Sequence, residues 1–316
     1  MAGYRILVSD GLSEEGLARL RSIGEVTADP KIAPLDLIAA LPAYDALVVR
    51  SRTKVTASVL EAGKRLKVVG RAGVGVDNID VPAAQQRGIT VVNSPLAATA
   101  AVAEHTLALM LALARGIPAA DRSMKADRWE KSSFMGSELL GKTLGLLGIG
   151  RIGAYVANLG RAFGMQVLAY DPYLTDDRIR QLQAEPVGFE DLLRRGDYIS
   201  LHLPLTGGTR GLLGAQQFAL MKAGTRLVCT ARGGVVDEDA LRAAVDSGML
   251  AGAALDVFTY EPPPPGSIAA HPKVIASPHI GAQTKEAQAR AAVDISEEVI
   301  AVLEGREPRW KVTSAE

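Results

Sequence analysis

The sequence predicts an α/β protein built from two doubly wound parallel sheets. Three observations carry that expectation. The chain has 316 residues, too many for one typical core, so two domains are the default. Short apolar runs alternate with stretches of helical spacing, once within residues 1–97 and again from residue 143 onward. Strands that are apolar throughout and separated by helices belong to parallel sheets covered on both faces. Finally, the second alternation opens on a glycine-rich loop, Gly148-Ile149-Gly150-Arg151-Ile152-Gly153.

The elements follow in order. YRILVSD (4–10) is a strand, and residues 13–24 have helical spacing with Ser13 as N-cap and Gly24 as stop. Strands follow in DALVVR, LKVVGRAG and GITVVN, with helices near 34–41, 56–64 and 81–87. Residues 98–125 read as one long helix broken near Gly116-Ile117-Pro118. It is apolar on nearly every side, so burial all round is expected, at a domain junction or a subunit interface. After an irregular connector, strands fall near 143–148, 166–170, 197–203, 225–229, 251–257 and 273–277. Helices fit near 151–163, 175–183, 189–194, 214–221 and 237–247, and the tail from Thr284 is one long helix with a glycine stop. The run EPPPPG is a stiff loop without free N–H groups.

Composition narrows the function classes. Thirty-five basic residues balance 35 acidic ones, which argues against a nucleic-acid surface or a polybasic membrane patch. The N-terminus runs straight into a strand with no signal-peptide core. The longest apolar helical stretch, TLALMLALA, has nine residues, against the roughly 20 a membrane span needs. The expectation is a soluble cytoplasmic protein without a metal-ligand cluster. The single cysteine, Cys229, lies in an apolar run and reads as a small buried hydrophobe rather than a reactive thiol.

The glycine loop directly follows a strand and opens a helix. A further strand then ends at Asp171, 21 residues past Gly150. In that context the glycines permit a tight turn and close approach to a pyrophosphate, and the helix N-terminus offers N–H groups to it. Asp171 lies where a carboxylate accepts hydrogen bonds from a ribose diol. It would repel a 2′-phosphate by about 4 kcal/mol per like-charge pair at 4 Å and an effective dielectric near 20. The cofactor expected is NAD.

Three further stretches look chemical. Arg232, Glu261 and His279 each stand just past a strand, and ligands of open parallel sheets bind outside the carboxyl ends of strands. Oxidising an alcohol needs a base for its proton as hydride leaves carbon, and histidine suits neutral pH. A neighbouring carboxylate favours the imidazolium, and an arginine holds a carboxylate bidentately and polarises an adjacent carbonyl. Of the other histidines, His105 reads as a hydrogen-bonded core residue. His202 reads as mainly structural at a strand end near the cofactor, and His271 as a loop residue with no evident partner. No G-x-S-x-G elbow is present for a serine nucleophile.

With these motifs in hand, the chain resembles the D-isomer-specific 2-hydroxyacid dehydrogenases, most closely their phosphoglycerate dehydrogenase branch. The blocks VVGRAGVGVDNID, GKTLGLLGIGRIG, ARGGVVDE, GAALDVFTYEPP and PHIGAQTKEAQ carry the resemblance along nearly the whole chain. It implies a Rossmann NAD-binding domain (98–285) inserted into a flavodoxin-like substrate domain (1–97 plus 286–316). A hinge between them would close to exclude water. It places the catalytic roles on Arg232, Glu261 and His279. Cofactor contacts would fall on Val74, Gly148, Gly150, Arg151, Ile152, Gly153, Asp171, His202, Leu203, Pro204, Thr230, Ala231, Asp256 and Ala282.

Substrate contacts would fall on Arg50, Ser51, Arg52, Arg71, Val74 and Gly75, with Lys131 reaching from a neighbouring subunit. The chain departs from that family at Ala98, Thr99, Lys131 and Gln283, where Asn, Ser, Arg and Ser are usual. Nothing follows the last helix, so the regulatory domain of longer relatives is expected to be absent. The resemblance implies a homodimer paired through the cofactor domains. The reaction implied is NAD-dependent oxidation of 3-phosphoglycerate to 3-phosphohydroxypyruvate, a step of serine biosynthesis. The alternatives are the same chemistry on hydroxypyruvate, glyoxylate or sulfolactate, or an NAD(H)-sensing corepressor, which would need a peptide cleft and regulatory tails.

Overall fold

The computed structural model of the chain describes residues 3–313; the expected outer domain limits at 1 and 316 lie outside the described residues. The chain forms two compact units. One comprises the segment up to Ala98 together with the segment from Ala282; the other is Thr99–Gly281. The second crossover thus falls at 281/282, ahead of the 285/286 expected. A side chain of the last helix accounts for the difference: Gln288 Nε2 donates to the Ala282 carbonyl at 2.8 Å, so the linker travels with the helix it precedes.

The first unit runs β1 (Tyr4–Val8), α1 (Glu14–Arg21), β2 (Gly24–Ala28), α2 (Pro34–Ala40), β3 (Ala46–Val49), α3 (Ala57–Ala62), β4 (Val68–Arg71), α4 (Val81–Gln86) and β5 (Thr90–Asn93). All pairings are parallel, in the order β2-β1-β3-β4-β5, which is the flavodoxin-like order with its switch point between β1 and β3. Strand β2 is not among the elements the sequence predicts. It is an edge strand with no fully buried residue, so it lacks the apolar run that marks the other four. Gly24 therefore opens a strand instead of stopping a helix. A Cβ there would lie 2.0 Å from the Tyr4 carbonyl oxygen. Helix α1 ends at Arg21 with Ser22 as its C-cap, and Ser13 takes the N-cap backbone position without a capping side-chain hydrogen bond.

The second unit begins with α5 (Thr99–Arg115) and α6 (Ile117–Lys125). They meet at a 64° bend at Gly116, which has φ 62°. Then follow β6 (Thr143–Leu147), α7 (Arg151–Ala162), β7 (Gln166–Tyr170), α8 (Asp176–Gln181), β8 (Glu185–Pro186), α9 (Phe189–Arg195), β9 (Tyr198–Leu201), α10 (Ala215–Leu220), β10 (Thr225–Cys229), α11 (Glu238–Asp246), β11 (Leu250–Leu255) and β12 (Val274–Ala276). The parallel sheet has the order β12-β11-β10-β9-β6-β7-β8. Its order reverses between β6 and β9, where a doubly wound sheet opens its crevice. Two-residue β8 is likewise absent from the sequence reading; it is too short to leave a pattern.

One face of this sheet packs Leu147, Leu201 and Leu227 against α9–α11, and the other packs Leu146, Tyr198 and Val228 under α5 and α7. Helix α5 is not buried all round. Glu104, Ala108 and Arg115 form an exposed stripe, the one face turned away from the sheet. No single helix among the described residues is long and apolar enough to cross a membrane; α5 and α6 meet that test only as a bent pair.

The last helix, α12 (Lys285–Leu303), returns to the first unit. Thr284 caps it by accepting the Ala287 N–H at 3.1 Å. Ile295, Val299 and Leu303 bury against Ile6, Val8, Val48, Val68 and Val92. Ile295 is fully buried, so Ile295→Ala should cost about 2–5 kcal/mol in denaturant unfolding. A loss below about 0.5 kcal/mol, the usual size for a surface change, would show that α12 is no part of this core.

Candidate active site

The glycine loop joins β6 to α7 and is shaped by close approaches. Gly148 has φ 87°, and a Cβ on it would stand 2.7 Å from the His202 carbonyl oxygen. A Cβ at Gly153 would stand 2.3 Å from the Gly148 carbonyl oxygen. Gly150, the N-cap of α7, differs: its missing side chain faces open space. The first and third glycines are thus needed by the protein's own packing, whereas the second leaves room for a ligand beside the helix N-terminus. That division fits a bound pyrophosphate.

Asp171, past β7, ties into this loop. Its Oδ2 accepts the Ile149 N–H at 3.1 Å and its Oδ1 the Tyr173 N–H at 3.0 Å. Each oxygen keeps a lone pair free for a diol. A cavity of about 280 Å³ lined by Asp171, Asp176, Ile179 and Val187 lies beside it.

His202 follows β9 with Leu203 and Pro204. Its Nε2 lies 2.9 Å from Ser200 Oγ, and desolvation pushes its pKa down to about 3, although an edge of the residue reaches solvent. The ring is therefore neutral, and its backbone walls the glycine loop.

The three proposed catalytic residues follow neighbouring strands: Arg232 after β10, Glu261 after β11 and His279 after β12. His279 Nδ1 lies 2.8 Å from Glu261 Oε2. The other carboxylate oxygen, Oε1, accepts the Phe258 N–H at 3.2 Å. Burial pushes the Glu261 pKa up, but the His279 hydrogen bond and charge and the Phe258 N–H outweigh it, and the net shift is downward. Gly233 packs so closely that a Cβ would sit 1.8 Å from the Phe258 carbonyl oxygen. The loop carrying Arg232 is thereby fitted to the loop carrying Glu261. Arg232 Nη1 donates to the Ala231 carbonyl at 2.7 Å.

Thr230 and Asp256 stand at the same sheet edge, and both are committed within the unit. Thr106 Oγ1 donates to the Val102 carbonyl and lies 2.8 Å from Thr230 Oγ1. Asp256 is 1% exposed. Its Oδ1 accepts Ser277 Oγ–H at 2.6 Å and Ile280 N–H at 2.9 Å, and its Oδ2 accepts Gly281 N–H at 2.8 Å. Both oxygens thus hold the turn around His279, a use that differs from the expected cofactor contact.

The first unit carries the remaining residues at the carboxyl edge of its own sheet. Arg50, Ser51 and Arg52 follow β3, and Arg71, Val74 and Gly75 end or follow β4. Arg52, with its side chain about half exposed, pairs with Asp10 Oδ1 at 3.1 Å and donates to the Ile32 carbonyl at 3.2 Å and to the Ser9 carbonyl. It braces the loop. Asp10 also accepts the backbone N–H groups of Arg50 and Thr53, and Asn78 Nδ2 donates to the carbonyls of both. Neither bracing residue stands out in the sequence, because an Asp after a strand and an Asn in a turn carry no spacing signal. Asn93 Nδ2 donates to the Val74 carbonyl at 2.6 Å.

Ala282 begins the linker to α12. Lys131 is exposed in a short turn between α6 and β6. Cys229 is buried and its thiol is pushed up to about 11 by desolvation, which suits a core residue. His271 does have a partner: Asp246 Oδ1 lies 2.9 Å from its Nε2, tying the end of α11 to the approach to β12.

Two outcomes follow from this geometry. Gly153→Ala should weaken NADH binding at least tenfold, about 1.4 kcal/mol, in a fluorescence titration; an unchanged Kd would mean the close packing at Gly153 is dispensable. For Asp256, burial raises the pKa, but hydrogen bonds from His105, Ser277, Ile280 and Gly281 outweigh it and lower it overall. Its contribution to stability is then complete above the unfolded value near ~4 and is lost as acid passes down through the lowered folded value. The stability difference between the parent and Asp256→Ala should therefore shrink below about pH 4. Denaturant unfolding at several pH values measures it, and a difference constant over the range would contradict the ionised state.

Comparison with known proteins agrees with the geometry. A sequence model described as D-isomer specific 2-hydroxyacid dehydrogenase, NAD binding domain, matches residues 107–281. The chain is 45% identical over 308 residues to D-3-phosphoglycerate dehydrogenase of Synechocystis sp., covering 98% of this chain and 56% of that protein. It spans about half the length of the relatives it matches in this way. Among solved structures, the TT0316 protein from Thermus thermophilus superposes with a TM-score of 0.88 at 37% identity, covering 98% of this chain and all of that one. D-lactate dehydrogenase from Aquifex aeolicus, solved with NAD and lactic acid, gives 0.82 at 30% identity over 95% and 96% of the two chains. With the glycine loop and the parallel sheet order of the second unit, the match makes that unit an NAD-binding domain, and the chain belongs to the D-isomer specific 2-hydroxyacid dehydrogenase family.

Proposed function

We propose that the protein oxidises D-3-phosphoglycerate to 3-phosphohydroxypyruvate with NAD. The observation that carries the reading is the Glu261–His279 pair, 2.8 Å apart at the carboxyl edge of an NAD-binding sheet. Glu261 is ionised and has no proton to give, so His279 Nδ1 carries the hydrogen of that bond. The lone pair is then on Nε2, which takes the proton of the substrate's C2 hydroxyl. As that proton arrives, Glu261 stabilises the positive charge. Arg232 binds the carboxylate and polarises the C2 oxygen as the C=O bond forms. Bound NAD supplies the acceptor for the hydride leaving C2. Asp171 favours NAD over NADP, because a 2′-phosphate would face its carboxylate.

The remaining assignments belong to the same reading. Val74 and Gly75 serve the substrate carboxylate through their backbone. Arg50, Ser51 and Arg71 serve the phosphate, with Lys131 of a neighbouring subunit. Units 99–281 pair in a homodimer, a reading supported by the exposed apolar side chains Ile117, Met124, Trp129, Met135 and Leu140 from α6 to the start of β6. A second reading is the same reaction on a 2-hydroxy acid without phosphate. Arg52, committed inside its own unit, is one cation fewer for a phosphate and favours it.

A substrate panel with both nicotinamides decides between them. Phosphohydroxypyruvate reduction with NADH supports the first reading, and turnover only of unphosphorylated acids supports the second. Under either reading, His279→Asn and Arg232→Ala should each lower kcat/KM by about 10²–10⁴-fold. Near-normal turnover in either variant would sink the assignment.

A further inference from the structure

We infer that His105, on helix α5, is a positioning residue for His279, acting through Ser277 and Asp256. The inference rests on the proposed role of His279 as base. His279 is one of three non-glycine residues with positive φ among those described, at 53°. That region is uncommon for a residue with a side chain, although His is among the types enriched there, and the surroundings decide whether it is held. The surroundings here are a single hydrogen-bonded turn. His279 N–H donates to the Ser277 carbonyl at 3.0 Å. The next two N–H groups, of Ile280 and Gly281, donate to the two oxygens of Asp256.

Ser277 Oγ gives its one proton to Asp256 Oδ1, at 2.6 Å. His105 Nε2 lies 3.1 Å from Ser277 Oγ and 3.4 Å from Asp256 Oδ1. With the serine proton used and the carboxylate holding none, the hydrogen at this junction must sit on His105 Nε2. His105 is thus the donor that orients Ser277, and Ser277 helps to fix the carboxylate that shapes the turn.

Packing reinforces the same link. A Cβ added at Gly281 would meet Asp256 Oδ2 at 3.0 Å, Val102 Cγ2 at 3.5 Å and His105 Cδ2 at 3.7 Å. The first turns of α5 therefore seat directly on the end of the His279 turn. The neighbouring Thr106 bonds Thr230 at the end of β10. One stretch of α5 thereby pins two of the strand ends that surround the chemistry, while His105 itself is part-buried and bonded on the protein side.

The test compares His105→Leu, His105→Gln and Ser277→Ala with the parent, as full chains. In His105→Leu, amide hydrogen exchange over residues 277–281 should quicken about tenfold or more while β6 and β10 keep their protection. kcat should fall about 10–100-fold, with the NADH Kd within about twofold, because the base is misplaced but the dinucleotide loop is not. His105→Gln, which can still donate at this position, should recover most of both. Ser277→Ala removes one hydroxyl and should show the same selective pattern if the leucine variant proves too unstable to purify. Parent-like exchange over 277–281 in His105→Leu and Ser277→Ala, or a glutamine variant no better than leucine, overturns the inference. A parent inactive on every 2-hydroxy acid would instead count against the proposed function, and the exchange comparison would still decide the role of His105.

Discussion

Every strand of the second sheet points the same way, and that constraint organises the site. In a parallel sheet all carboxyl ends share one edge, so residues far apart in sequence arrive together without any long-range design beyond strand order. The glycine loop leaves β6, Asp171 leaves β7, His202 leaves β9, Arg232 leaves β10, Glu261 follows β11 and His279 follows β12. Strand order then divides the labour. The glycine loop and Asp171 lie on the β9-β6-β7 side, and the residues proposed for proton transfer follow β12, β11 and β10. Backbone direction alone does not aim side chains, however. The aiming is done by loops that close on one another, such as Gly233 against Phe258 and the Asp256 carboxylate against the turn at 280–281.

Two buried or half-buried carboxylates do unlike work within a few residues of each other. Glu261 is hydrogen-bonded to the imidazole and partly open, which suits the proposed role of answering a charge on His279. Asp256 is almost wholly enclosed and saturated by donors, so it acts as a fixed internal anchor. Exposure separates the two: the carboxylate proposed to take part in the chemistry touches solvent, and the one that braces the turn does not.

Much of this is legible in the sequence because the signals are local and repeated. Apolar β-strands, a glycine loop in the right strand–helix context and Arg, Glu and His each past a strand point to the sheet edge. What escapes has physical reasons. Strand β2 lies at a sheet edge with mixed exposure, so it lacks an apolar run. Helix α5 is apolar enough to suggest complete burial, yet Glu104, Ala108 and Arg115 line an open stripe. Arg52 cannot be told from Arg50 by type or spacing, and only the folded loop reveals that Asp10 forms an ion pair with Arg52. His271 shows no partner in the sequence because Asp246 is 25 residues away and meets it only across the end of α11. The Ser277–His105 bond spans 172 residues, a separation at which sequence spacing says nothing.

The left-handed backbone at position 279 has a consequence for what this site can ever become. A β-branched or bulky residue is a steric outlier at such a φ, whereas Gly, Asn, Asp and His tolerate it. The backbone at position 279 thus favours a short alphabet, and of its members histidine is the type that exchanges protons near neutral pH. Backbone torsion and the proposed proton chemistry favour the same residue by independent routes. Replacement at this position is limited first by geometry and only afterwards by reactivity.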